Sequence, residues 1–199
     1  MFWALKIHTM KNICIAAFLL TLFLPKLLIA QKDSSGIYLT AADFQQRKLA
    51  YAINCNTEQH KIKLNDFFGK SYITVKHFDS SYKLNKKQIF GYKTCNNEIV
   101  RFLNKKELVL LNPDEAILIY KHIVSRPAKG QTNVTNYYFS KDALSPAQSL
   151  TITNVKKAFP DNHAFHMKLD EMFKYNTELA AYDDFHKMYK LNWIFKQTP

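Results

Sequence analysis

The chain has 199 residues, 28 Lys and Arg against 16 Asp and Glu, and a net charge of +12 at pH 7. That length suits one domain, or one domain with an appendage, and suffices for a core that needs no staples. Its four glycines leave no glycine-rich phosphate loop, and only Arg47, Arg101 and Arg126 offer the guanidinium fork that suits bases and phosphates. A lysine-dominated surface with no local stripe argues against specific nucleic-acid recognition; it fits a solvated basic face, with loose attraction to anionic polymers as the weaker reading.

Met10-Lys11 opens a short basic start, residues 12–24 are apolar, and Leu28-Ile29-Ala30 precedes polar Gln31-Lys32-Asp33. This is the layout of a secretory signal peptide. The apolar run is shorter than the roughly 20 residues a spanning helix needs, and Pro25-Lys26 interrupts it. The expectation is cleavage after Ala30, translation best read from Met10, no transmembrane anchor afterwards, and an extracytoplasmic protein, periplasmic or secreted. Lys6, Lys11 and Lys26 leave with the leader and lower the +12 charge by three, to +9. Cys14 leaves too. Cys55 and Cys95 remain, and in an oxidising compartment they are a disulfide candidate.

Residues 31–124 read as a β-rich domain. Leu49, Tyr51, Ile53 and Cys55 alternate with polar or small neighbours, as do Ile62 and Leu64, and Ile73, Val75 and His77. A period of two with one polar face marks half-buried antiparallel strands. Turn residues separate them: Asn65-Asp66 with Gly69, Asp79-Ser80-Ser81, Thr94-Cys95-Asn96-Asn97, and Asn112-Pro113-Asp114-Glu115. The last lies between the apolar runs 107–111 and 116–120, which predicts a hairpin through the centre of the core. Six to eight strands are expected, as a small sandwich or open barrel, with a helical turn over 41–47.

Residues 125–150 read as a linker, in which Tyr137-Tyr138-Phe139 either adds an edge strand or packs the segment down. The Asn133-Val134-Thr135 sequon carries little weight. From 151 the period becomes helical: one helix stopped by Pro160, a second with Phe165, Leu169, Met172 and Phe173 on one face, and a third from Asn176 or Thr177 to about Trp193. The fold class is therefore α+β, a β-rich domain followed by a helical region over 151–199.

The sharpest chemical candidate is His163, His166 and Asp170, whose spacings of three and four share one helix face. Two histidines and a carboxylate can hold a metal that activates water for hydrolysis, and His186 with Asp183 and Asp184 could contribute from the next helix. Against this, the His-Glu-x-x-His spacing is absent, as are a Gly-x-Ser-x-Gly elbow and a Cys-x-x-Cys pair. A second candidate is an aromatic platform from Tyr72, Phe78, Tyr82, Phe90, Tyr92 and Phe102, interleaved with Lys76, Lys83, Lys86, Lys87 and Lys93, suited to a glycan or anionic polymer. Alternation favours the plainer arrangement, aromatics inward and lysines outward.

The stretches 36–44, 60–66, 90–92 and 118–120, with 158–163 and 181–189, resemble small secreted proteins of the Bacteroidetes group. The resemblance implies a secreted or envelope location and carries over no catalytic residue. The reading is a non-catalytic binding or structural module of the bacterial cell envelope, without cofactor, whose partner is an envelope polymer, a glycan or a protein. The alternative is a metal-dependent hydrolase using His163, His166 and Asp170.

Overall fold

The computed structural model describes residues 33–58, 61–64, 70–124 and 133–198. The expected leader, the turn residues expected at 65–69 and the first part of the expected linker, 125–132, lie outside these residues. The fold is α+β and mostly antiparallel sheet. Its strands are β1 (Ser34–Tyr38), β2 (Ala50–Asn54), β3 (Lys61–Lys63), β4 (Tyr72–His77), β5 (Ser80–Asn85), β6 (Gly91–Lys93), β7 (Ile99–Leu103), β8 (Lys106–Leu110), β9 (Leu118–Val124), β10 (Val134–Ser140), β11 (Gln148–Ser149), β12 (Tyr182–Asp183) and β13 (Met188–Tyr189). The helices are α1 (Ala41–Gln45), α2 (Ile152–Ala158), α3 (His163–Met172), a 3-10 turn (Asn176–Ala180) and α4 (Lys190–Lys196).

Eight strands form one open sheet in the order β11-β10-β9-β8-β7-β6-β1-β2, and β3-β4-β5 form a second, smaller sheet. The β8–β9 hairpin expected from residues 107–120 lies in the middle of the large sheet. Strict alternation sends the two faces to different cores. Ile37, Tyr92, Val100 and Phe102 meet Ile73 and Val75 of the small sheet. On the same face, at the other end of the sheet, Ile117, Ile119 and Phe139 meet Val155, Phe165, Leu169 and Leu191 of the helices. The opposite face packs Leu108, Leu110, Leu118 and Tyr120 beneath α1 and the 141–147 loop. Gly91 is dictated by this packing: a Cβ there would stand 1.9 Å from the Val100 carbonyl oxygen on the paired strand.

Two polar devices set the opposite face. The Arg101 guanidinium lies 4.9 Å over the Phe90 ring, Phe90 stacks on Phe44 at 4.8 Å, and Arg47 lies 5.2 Å over Phe44. Arg101 also donates to the Tyr120 hydroxyl (2.8 Å), Ser140 Oγ (3.1 Å) and the Ser145 carbonyl (2.8 Å). Burial pushes the Tyr120 phenol up, and the Arg101 charge offsets part of that rise.

Of the two expectations for Tyr137-Tyr138-Phe139 within the linker, the strand is the one found, though longer and one place in from the sheet edge: β10 pairs with β9 over seven positions, from Val134↔Val124 to Ser140↔Leu118. Its Phe139 sits in the core shared with the helices, so 34–198 form one compact unit. The third helix also differs. Leu179, Tyr182, Phe185 and Met188 are spaced for a helix, but Asp183 Oδ1 accepts from the backbone N–H groups of Phe185 (2.9 Å) and His186 (3.0 Å). That side-chain turn competes with the helix ladder, and the segment becomes a short β12–β13 hairpin before α4. Thr151 caps α2 and Asn162 caps α3, each side chain accepting from a backbone N–H of the first turn. α1 starts with a capping box, Thr40 and Asp43 bonding each other's backbone N–H.

Cys55 and Cys95 form a disulfide with Cα atoms 5.6 Å apart. They follow β2 and β6, the two neighbours of β1, so the bridge ties the sheet across its intervening strand. Among the described residues no helix is long and apolar enough to cross a membrane.

Candidate functional site

The metal candidate does not assemble. Asp170 is held by the Lys156 ammonium, at 2.6 Å to each carboxylate oxygen. His166 Nε2 bonds the Phe159 carbonyl at 2.9 Å. His163 and His166 have ring centroids 6.0 Å apart and edge-on. The Asp170 oxygens thus accept from Lys156, and His166 Nε2 carries the proton it donates to the Phe159 carbonyl, so this nitrogen has no lone pair for a metal. Among the described residues no three His, Cys, Asp or Glu converge as a metal site. His186 stands in the β12–β13 turn rather than on a helix; its Nδ1 pairs with Asp183 Oδ2 at 2.9 Å and its ring stacks on Trp193 at 4.6 Å.

The aromatic platform divides in two. Phe90, Tyr92 and Phe102 are buried, as alternation requires. Lys86 and Lys93 were expected outward and are buried instead. Lys86 is 2% exposed, its ammonium 3.4 Å from Glu107 and 5.6 Å over the Phe102 ring. Burying a lysine this way requires such a partner, and it removes these two charges from any outer platform.

The β4–β5 hairpin is different. His77 and Ser80 pair across its end, leaving Phe78 and Asp79 as the two-residue connection. Phe78 is 80% exposed, and its φ is 50°. Left-handed backbone suits Gly or Asn; for a bulky side chain it is an outlier. Val75 and Tyr82 are cross-strand partners, so Tyr82 lies on the face that Val75 turns to the core, but is itself partly exposed. There it meets Tyr51 of β2, itself at φ 50°, with centroids 4.7 Å apart. The His77 ring touches Tyr51 (6.0 Å) and Phe78 (4.3 Å). His77 Nδ1 is shielded from water and has no hydrogen-bond partner among the described residues.

Between the end of β2 and this hairpin runs a groove of about 510 Å³, lined by Ile53, Glu58, Lys76, His77, Phe78, Asp79, Ser80 and Ser81. Aromatic edges with a few convergent polar groups are the usual make-up of a binding site. Two left-handed aromatics and an orphaned imidazole nitrogen add uncompensated cost at the same place, and strain of this kind gathers at functional sites. Sequence reasoning named Phe78 and Tyr82 for the platform but missed Tyr51 and His77, which were read only as alternating strand residues. The one local signal was a Phe-Asp turn where Asn-Gly or Asp-Gly is usual.

A second exposed ring, Phe185, is 88% exposed at the β12–β13 turn. Here the Asp183 carboxylate and the His186 imidazole satisfy each other. The hydrogen bond from the His186 ring, joined by the His186 backbone N–H, holds the Asp183 carboxyl below the usual carboxylate range. No family model matches the chain, and neither a curated protein nor a solved structure matches it.

Proposed function

We propose that this chain is an exported, non-catalytic binding module of the bacterial cell envelope, working through the tip of the β4–β5 hairpin. The observation that carries the reading is Phe78, held almost fully exposed in left-handed backbone at the mouth of a groove. An exposed ring without purpose would be replaced by a residue that suits the turn. Export is supported by the leader pattern of residues 10–30 and by the Cys55–Cys95 bridge, which belongs in an oxidising compartment. The resemblance to small secreted Bacteroidetes proteins points the same way. No observation favours the hydrolase, because Asp170 and His166 already have partners within the fold.

The test is retention on an isolated envelope fraction, comparing wild type with Phe78→Gly and Phe185→Gly. Gly suits the left-handed turn, so Phe78→Gly removes the ring without endangering the fold. Loss of retention in Phe78→Gly alone supports the reading. Equal retention of all three proteins, or loss in Phe185→Gly alone, overturns it.

A further inference from the structure

We infer that the occupant of the β4–β5 groove is an uncharged polysaccharide chain; this rests on the groove being the working surface proposed above. A sugar ring presents C–H groups on its faces and hydroxyls around its rim. The positive edge of each C–H is attracted to the negative face of an aromatic ring, and each hydroxyl needs both a donor and an acceptor. The groove offers rings in Phe78 and His77, with Tyr51 and Tyr82 behind them. It offers hydroxyls in Ser80 and Ser81, carboxylates in Glu58 and Asp79, and an ammonium in Lys76.

The charge balance selects among polymers. Although the whole chain carries +12, the groove sets two carboxylates against one ammonium among the described residues. A polyanion entering it would face local repulsion. Of the other lysines expected on the platform, Lys86 and Lys93 are buried, the Lys83 ammonium lies 5.6 Å over the Tyr72 ring, and Lys87, though exposed, is not among the described residues that line the groove. A neutral sugar suits all these groups, since carboxylates accept from hydroxyls and the ammonium donates to them. His77 Nδ1 strengthens the case, because it belongs to a lining residue and has no hydrogen-bond partner among the described residues.

The experiment is native affinity electrophoresis of the exported protein in gels containing dextran, mannan, galactan or hydroxyethyl cellulose, with chondroitin sulfate as the polyanion. At least one neutral polymer retards the wild type, unchanged between low and physiological salt. Phe78→Gly weakens that binding about tenfold or more, as loss of a central ring does, and Phe185→Gly leaves it intact. Retardation by no neutral polymer overturns the inference, as does retardation by chondroitin sulfate alone that falls with salt. If Phe78→Gly abolishes envelope retention while every neutral polymer is silent, the working surface stands and the glycan assignment falls. If Phe78→Gly keeps envelope retention, both fall.

Discussion

The two hairpin tips of this molecule carry the same pair of residue types and use them in opposite ways. At one, His77 and Phe78 sit in a turn whose left-handed position is filled by the Phe, and the imidazole Nδ1 is unmet. At the other, Phe185 and His186 sit in a turn whose left-handed position falls to Lys187, and Asp183 satisfies two backbone N–H groups and the imidazole. The second tip is also braced from behind, because His186 stacks on Trp193 of α4. Exposure of a ring alone therefore does not mark out the proposed working surface; the two Phe rings are similarly bare. What differs is whether the surrounding polar groups are already spent on the fold.

The disulfide belongs to the side of the first tip. Cys55 directly follows β2, whose Tyr51 and Ile53 border the first tip, and the bridge spans 40 positions of chain. Replacing both cysteines by serine is expected to cost about 4 kcal/mol in the chain-entropy account, read as a lower denaturant midpoint under non-reducing conditions. Hydrogen exchange should show the loss of protection concentrated in 50–58, with the β12–β13 hairpin unchanged. Equal loosening of both tips would mean that the bridge holds the whole unit and not the groove side.

The converse variant acts on the second tip. Asn192 of α4 is fully buried, and its amide bonds both the N–H and the C=O of Ile117, each at 2.8 Å. It thus caps the start of β9 as a paired strand would. Asn192→Leu leaves a buried N–H without its partner and is expected to cost about 3 kcal/mol. The Ile117 amide should lose exchange protection and Trp193 emission should shift, while binding through the first tip persists in the folded fraction. Loss of binding equal to the loss of Trp193 packing would show that the tips are coupled.

How much of this was legible follows the same division. The central β8–β9 hairpin was readable because two apolar runs flank Asn112-Pro113, and Asn112 indeed closes it, its Oδ1 accepting from Ile119 and its Nδ2 donating to the Ile117 carbonyl. The buried ends of Phe90, Tyr92 and Phe102 were readable from alternation alone. The β12–β13 hairpin was not, because Leu179, Tyr182, Phe185 and Met188 satisfy a helical period by spacing. Only the Asp183-Asp184 pair hinted at a turn. Lys86 was misread because local pattern cannot supply Glu107, twenty-one residues on, as its buried partner. Tyr51 and His77 were invisible as site residues for the same reason: their meeting depends on how the small sheet is laid against β2.

The smallest effect is the sharpest test of what separates the tips. A left-handed Phe costs about 1–2 kcal/mol relative to glycine in the folded turn, while glycine gives up roughly 0.5–1 kcal/mol through its freer unfolded chain. Phe78 is too exposed for its ring to repay much of the difference. Phe78→Gly should therefore stabilise the protein by about 0.5 kcal/mol, seen as a raised denaturant midpoint with an unchanged slope. A gain in stability joined to a loss of binding is the signature of a residue kept for what it touches outside the chain. At the second tip, Phe185→Gly carries no such gain, because Phe185 is not in left-handed backbone. If Phe78→Gly were instead destabilising, the ring would be packing the hairpin in solution, and the strain that marks the groove would lose its meaning.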